Sequence, residues 1–342
     1  MNDPSELETA EYEFVVSPSA LDISQIKPPS SMVRVEFGAV SHTGKVRAQN
    51  EDHFLVSKLS RKQQILLTNV PHEQFPEHFA EDGYSMIVAD GMGGMAAGEV
   101  ASRMAIATGV TLFQKSPKWG FKINKREARE LFHRVNTYLQ EIDLALTKRS
   151  EEDRRLFGMG TTLTASFSSG VDLFVIHVGD SRAYLYRDGK LLQLTKDHTV
   201  AQAMADAGYI AHEEIRHHIK RNVLTNFLGG HHGKVKADVR WLRLRDRDRL
   251  LLCSDGLNDM VDDASIARIL NTHDQPTDAA QSLVDEALDR GGRDNVTVIV
   301  ARYEVPTLRP VAEQMIQTHD EIPAGTTDSL DKMPPLTMTA LR

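Results

Sequence analysis

The 342 residues predict an α+β fold on three observations. Short apolar runs of strand length come in blocks, amphipathic helical stretches fall in pairs between those blocks, and Asp188-Gly189 between two alternating runs marks a tight antiparallel hairpin. A regular βαβ winding would instead alternate one strand with one helix.

In chain order, strands are expected at 35–40, 85–89, 162–167, 173–178, 183–186, 191–194, 239–244, 249–253 and 296–303, each a run of β-branched, aromatic or leucine residues bounded by polar or glycine-containing turns. Helical periodicity places helices at 97–113, 126–147, 264–270 and 278–288. Residues 1–33 read as a flexible N-terminal tail, acidic and then proline- and serine-bearing. Residues 305–342 read as a C-terminal tail with Pro306, Pro310, Pro323, Pro334 and Pro335, within which 311–316 is expected to form a short helix. A single domain, 34–304, lies between them, without internal repeats.

Composition excludes several functions. Lys+Arg total 40 against 48 Asp+Glu, a net charge of −8, which offers no general attraction for nucleic acid or an anionic membrane. Cys253 is the single cysteine, so an intrachain disulfide framework and a thiolate metal cluster are out, and its apolar flank, Leu250 to Leu252, predicts a buried, inert thiol. No stretch approaches the roughly 18 apolar residues that span a bilayer, and the N-terminus is acidic where a signal peptide is basic, so a cytoplasmic protein is expected.

The chemistry is carried by four aspartates, each where an apolar run meets a polar or glycine turn: Asp90, Asp180, Asp255 and Asp294. Strands deliver their end residues to a sheet rim, so acids far apart in sequence can converge there. Converging carboxylates repel unless cations lie between them, and all-oxygen ligation suits Mg²⁺ or Mn²⁺ rather than zinc. Any one Asp-Gly pair is more often a turn, as at Asp188, and only the set of four argues for metal. After the first strand, Arg47 offers a planar fork for a phosphate and Glu51-Asp52 can add carboxylates, although such charged loops usually form solvated ion pairs. Gly91, Gly93 and Ala96 also satisfy G-x-G-x-x-A, but Asp90 would face the pyrophosphate and no acidic strand end follows to hold a ribose. The alternating arginines and aspartates of 243–249 are expected to form a solvated turn.

The ordered series Arg47-x-x-Asn50-Glu51-Asp52, Val88-Ala89-Asp90-Gly91-Met92-Gly93-Gly94, Gly158-Met159-Gly160-Thr161-Thr162, Gly179-Asp180-Ser181-Arg182, Ser254-Asp255-Gly256-Leu257 and Gly292-Arg293-Asp294-Asn295 resembles the metal-dependent PP2C (PPM) protein phosphatases, the bacterial branch most. The resemblance runs from about Arg34 to Tyr303. It implies a four-layer αββα sandwich of two mostly antiparallel sheets flanked by helix pairs. It implies one ion on Asp90, Asp255 and Asp294, a second on Glu51, Asp90 and the Gly91 carbonyl, and a third, weaker ion on Asp180 with Asp255. Arg47 takes the phosphate-binding place, and Asn295 is expected to hold its loop. Two Mn²⁺ or Mg²⁺ ions would activate a shared water for attack on phosphoserine or phosphothreonine. The implied partners are phosphorylated proteins and a cognate Ser/Thr kinase with its substrates, with no nucleic acid, no membrane, and a monomer expected.

Two departures from the pattern stand out. Met92 occupies the place where many eukaryotic relatives carry a histidine, and His42, His53, His177 and His198 are all left without an assigned acid role. Residues 58–84 form a longer connection than in compact bacterial relatives and read as an insertion, while about 196–233 resembles the family's flap beside the cleft. The alternative functions are a catalytically weak phosphoprotein-binding scaffold, or a phosphatase of a small phosphate ester or an anti-sigma-factor antagonist. The scaffold would be marked by missing ligands.

Overall fold

The structure, a computed structural model, describes residues 30–71, 79–93, 97–115, 125–230 and 235–306. Strands β1 (Arg34–His42), β11 (Val296–Glu304), β10 (Arg249–Cys253), β7 (Arg182–Arg187) and β8 (Lys190–Gln193) form, in that order, one sheet. The second has the order β2 (Asp52–Gln63), β3 (Phe79–Met92), β5 (Leu163–Ser169), β6 (Asp172–Val178) and β9 (Asp238–Arg243), with the short β4 (Gly160–Thr161) on β3. All of these pairings are antiparallel. Helices α1 (Ala97–Gln114) and α2 (Lys125–Glu152) lie between β3 and β4 in sequence. The short α3 (Val200–Asp206) follows β8, and α4 (Asp255–Asn258), α5 (Asp263–Thr272) and α6 (Pro276–Asp289) lie between β10 and β11.

Strand β10 shows why these elements stack in four layers. Leu250 and Leu252 point into a core between the sheets with Met86, Val88, Leu173 and Ile299, while Leu251 and Cys253 point the other way, to Ile266, Leu270, Leu283 and Val284 of α5 and α6. A strand covered on both faces must be apolar at successive positions, which is why 250–253 reads as an unbroken run although the sheet is antiparallel. On the far side, α1 and α2 place Ala101, Ala105, Leu139, Ile142 and Leu146 against Leu163, Ala165 and Val178. The result is the expected αββα sandwich. Cys253 is buried, and burial pushes its thiol up to about 12, too high for a nucleophile.

Local chemistry explains several boundaries. Asp188 and Gly189 both take positive φ (51° and 77°), closing the β7–β8 hairpin as the Asp-Gly pair requires. Helix α5 starts where the Asp262 side chain accepts the Ser265 N–H, α6 where Pro276 occupies the first turn, and α3 where Thr199 accepts from Gln202. Among the described residues no helix is long and apolar enough to cross a membrane.

The structure departs from the sequence reading in four places. Strand β2 was not expected, because charge and polarity mask its alternation. It is an edge strand, where lysine and arginine are tolerated and even protective. It pairs with β3 from Asp52 opposite Asp90 to Gln63 opposite Phe79, so the two ends of the supposed 58–84 insertion are ladder, tied across the strands by Lys58 to Asp82 at 2.9 Å. The end of the N-terminal tail also packs: 30–32 form a 3₁₀ turn, Val33 is in the core, and the Ser30 hydroxyl accepts the Asp82 N–H. The expected 311–316 helix and the rest of the C-terminal tail from 307 on lie outside the described residues, as do His231 and His232.

The fourth departure lies at the end of the arginine-rich turn at 243–249: Arg243, Arg245, Asp246 and Arg247 are exposed as expected, but Asp248 is not. Asp248 is fully buried and receives Arg187 through Nε (2.8 Å) and Nη2 (2.6 Å), and its Oδ2 also accepts the Arg245 N–H. Arg249 in turn donates to the Leu270 and His273 carbonyls. Removing one partner of such a pair strands the other, so Asp248→Ala is expected to destabilise the fold by about 3 kcal/mol. The shift of the urea midpoint at unchanged m-value measures it.

Candidate metal centre

Both sheets deliver strand ends to the same end of the sandwich. From the six-stranded sheet come Asp90 near the end of β3, Asp52 directly opposite it at the start of β2, and Asp180 after β6. From the five-stranded sheet come Asp255, two residues beyond the end of β10, and Asp294, two residues before β11. Glu51 enters from the loop before β2.

These acids are held by their neighbours rather than by length of chain. The Asp90 N–H donates to the Thr162 hydroxyl (3.1 Å), and the Asp90 carbonyl accepts from Thr162 N and Thr161 Oγ1, both at 2.9 Å. Thr162 Oγ1 lies 2.7 Å from Ser181 Oγ, which ties Asp90 to the turn carrying Asp180. Across the sandwich, Ser254 Oγ donates to Asp52 Oδ2 (2.7 Å) and accepts the Thr297 N–H. Asn295 clamps the Arg47-bearing loop: its amide donates to the carbonyls of Thr43 and Gln49, and its oxygen accepts the Glu51 N–H.

Close approach requires two glycines. A Cβ on Gly91 would drive into the Gly98 carbonyl, and one on Gly98 would lie 2.9 Å from the Glu51 carboxyl carbon. Their bare backbones let the start of α1 press against the end of β3 with Glu51 between them.

Electrostatics identify the cluster as unbalanced. Burial raises the pKa of Asp90 well above its ordinary value, and Asp52, Asp255, Asp180 and Asp294 raise it further. Burial and the carboxylates of Asp180, Asp259, Asp294 and Asp52 do the same to Asp255. Asp52 is pushed up to about 6 and Asp180 to about 7, again chiefly by burial. Burial also raises Glu51, against the pull of Arg47. Asp90 and Asp255 are half-buried at the rim.

The donor set fits a hard divalent cation. Asp52 Oδ1 and Asp255 Oδ1 are buried oxygens with no hydrogen-bond partner, and the surrounding groups that shift Asp90 are themselves acids. Yet among the described residues no three Asp, Glu, His or Cys side chains close into a ready-made cage. Arg47 Nη2 sits 2.6 Å from Asp294 Oδ2 on the exposed side of the cleft, pairing the expected phosphate ligand with an expected metal ligand.

The four histidines of the sequence reading separate cleanly. His177 is buried in β6, between Thr164 Oγ1 (2.9 Å) and the Lys196 carbonyl (3.0 Å), and burial takes it down to about 3, a neutral structural residue. His42 Nδ1 accepts the Gly44 N–H, and His53 pairs with Ser102 Oγ at 2.9 Å. His198 joins the flap segment to the Asp180 turn and is taken up below. The flap returns to the body where Thr161 and Leu228 exchange backbone hydrogen bonds and Gly229 N donates to Asp143 of α2. Residues 94–96, the end of the glycine loop after Asp90, lie outside the described residues. Sequence reasoning offered Asp52 with Glu51 as a carboxylate that could be added, without placing it in the buried cluster against Asp90, and it missed the anchoring roles of Thr162, Ser181 and Ser254. Only the strand register places Asp52 against Asp90, and a β2 reading would have found it.

An αββα sandwich with an acidic rim at one end is an arrangement whose oxygen donors suit a hard divalent cation. The family model for protein phosphatase 2C matches residues 75–290, a range that holds Asp90, Asp180 and Asp255 and leaves Arg47, Glu51 and Asp294 outside. The serine/threonine protein phosphatase PstP of Mycobacterium tuberculosis is 38% identical over 239 residues, which are 69% of this chain and 44% of that protein. The chain thus spans less than half the length of that relative. The serine/threonine phosphatase stp of Listeria innocua is 33% identical over 257 residues, 75% of this chain and 91% of its own. The crystal structure of the M. tuberculosis phosphatase superposes with a TM-score of 0.63 at 36% identity, covering 79% of this chain and 99% of that one. A PstP catalytic domain in complex with two manganese ions gives 0.61 at 34% identity, covering 80% and 99%. The chain belongs to the protein phosphatase 2C family.

Proposed function

We propose that the protein hydrolyses phosphoserine and phosphothreonine on proteins with Mn²⁺ or Mg²⁺ as cofactor, opposing the Ser/Thr kinase that supplies those phosphorylated residues. The observation that carries this reading is the ring of buried carboxylates that raise one another's pKa around Asp90, with orphaned oxygens on Asp52 and Asp255. Its family members in Mycobacterium and Listeria are named serine/threonine phosphatases, which supports the substrate class.

Asp90, Asp255 and Asp294 would hold one ion, and Glu51, Asp90 and the Gly91 carbonyl another; Asp180 with Asp255 would hold a third. When bound, the ions supply a water of lowered pKa and positive charge for the phosphate oxygens. The chain's own part is orientation. Asn295 and the Thr43–Gln49 loop hold Arg47 at the rim, so that the guanidinium, once Asp294 is engaged otherwise, presents its planar fork to a phosphate. Ser254 orients Asp52 through one oxygen and leaves the other facing Asp90. Met92 cannot donate a proton, and the groups that raise Asp90 are aspartates rather than histidines. Every ligand position that the resemblance implies carries a ligating residue in this sequence, which speaks against the scaffold alternative.

Release of phosphate from a phosphothreonine peptide by the purified chain with Mn²⁺ tests the reading. Asp255→Ala is expected to lower kcat by roughly a thousandfold, several kcal/mol of lost charge stabilisation. A wild-type protein that binds Mn²⁺ and leaves phosphopeptides intact would sink the proposal, and faster turnover of small esters than of phosphopeptides would redirect it.

A further inference from the structure

His198 touches both the Asp180 turn and the returning arm of the flap. Its backbone and ring grip one residue, Gly179, through both of its backbone polar groups. His198 N donates to the Gly179 carbonyl at 2.7 Å, and the Gly179 N–H donates back to His198 Nδ1 at 3.1 Å. Gly179, with φ at 113°, is the residue immediately before Asp180.

The same Nδ1 lies 3.1 Å from the Asn226 side-chain amide, whose nitrogen also donates to the Lys236 carbonyl at 2.7 Å, and the His198 carbonyl accepts the Thr225 N–H at 2.8 Å. On its other edge, Nε2 lies 3.1 Å from Asp238 Oδ2 of β9. The ring stacks beside that of His177, with centroids 4.8 Å apart. A backbone N–H can only donate, so Nδ1 must carry a lone pair and the proton must sit on Nε2, facing the Asp238 carboxylate. The tautomer is set by partners on three separate segments, those of Gly179, Asn226 and Asp238.

We propose that His198 is a positioning residue whose Nδ1 lone pair, by anchoring the Gly179 N–H, fixes where Asp180 stands relative to Asp255 and ties that turn to the returning arm of the flap. The inference rests on the reading of Asp180 as an ion-holding carboxylate. Gly179 has no side chain to hold its own turn, and glycine takes positive and negative φ about equally readily, so the turn depends on its neighbours to hold it. Ser181 anchors the turn from one side, through Thr162, and His198 from the other. A ligand's orienting partner typically governs metal affinity without touching the metal.

Two substitutions separate the ring's two edges. Asn places an amide oxygen where Nδ1 stands and loses the Asp238 contact, while Gln keeps a donor toward Asp238 and loses the acceptor for Gly179. His198→Gln is expected to raise the Mn²⁺ concentration for half-maximal turnover of p-nitrophenyl phosphate by about tenfold, and to weaken the weakest Mn²⁺ binding step in calorimetry as much. His198→Asn is expected to stay within about twofold of the unmodified protein in both, since the acceptor survives. Equal losses in the two variants, or unchanged Mn²⁺ binding in His198→Gln, overturn the proposal. The calorimetric arm decides it even if the unmodified protein proves to have no phosphatase activity, a result that would count against the proposed function instead. Should His198→Gln fail to fold, the ¹⁵N spectrum of the unmodified protein still decides: a bare Nδ1 and protonated Nε2 are expected, and a protonated Nδ1 overturns it.

Discussion

Asp90→Asn is expected to reduce phosphopeptide turnover by roughly a thousandfold or more while raising the melting temperature of the metal-free protein. The two effects have one cause. Asp90 is the carboxylate that burial and four acidic neighbours disfavour most visibly, so an amide of the same shape relieves repulsion that the folded state otherwise carries. Its backbone anchors to Thr161 and Thr162 do not involve the carboxylate and survive the change. Each kcal/mol of relief is about 3 °C for a domain of this size. Melting curves in EDTA and in Mn²⁺ check it: the variant should melt above the unmodified protein in EDTA and gain little from Mn²⁺. A lower melting point in EDTA would show that Asp90 is held by favourable contacts after all, and would remove the argument for a cation-seeking cluster.

The metal-free protein is also expected to lose stability as pH rises from about 4 to about 7, opposite to the usual acid denaturation of a carboxylate-rich protein. Asp52 has a folded pKa of about 6 and Asp180 of about 7, and Asp90 and Asp255 are shifted the same way, all from an ordinary value of 3.8. Between the unfolded and folded values the native state binds more protons than the unfolded chain, so the unfolding free energy falls with pH, by up to about 1.4 kcal/mol per pH unit for each group. His177 works against this in part of the same window. Its folded pKa of about 3 lies below the ordinary 6.5, so the unfolded chain takes up that proton first and stability rises with pH there. Four shifted aspartates outweigh one histidine. Saturating Mn²⁺ should flatten the dependence, because a cation replaces the protons and adds about 2.7 kcal/mol at a hundred times its dissociation constant. Urea midpoints at pH 4.5 and 7.5, each in EDTA and in Mn²⁺, measure both terms. A metal-free midpoint that rises across the window would contradict the coupled-acid account.

Much of the fold was legible because burial writes itself into local composition. The run 250–253, the Asp188-Gly189 hairpin and the stripes of α5 and α6 each announce their partner surface before that partner is known. Strand β2 was not legible, since an edge strand with lysines and arginines has no such signature and its pairing depends on β3. Asp248 misled for the converse reason: among alternating charges nothing local tells which one is sealed beneath Arg187.

At the site the division is sharper. The sequence alone determined which acids end strands and glycine turns, hence Asp90, Asp180, Asp255 and Asp294, because an apolar run stopped by a turn is a local pattern. What tertiary structure decided is which groups share that space. Asp52 is oriented by Ser254 across 202 residues of chain, Arg47 pairs with Asp294 across 247, and His198 reaches both Gly179 and Asn226. Hydrogen bonds and charge act over a few ångströms of space, whereas sequence patterns report only neighbours along the chain, so the acids of the rim could be read from residues and the network that aims them could not.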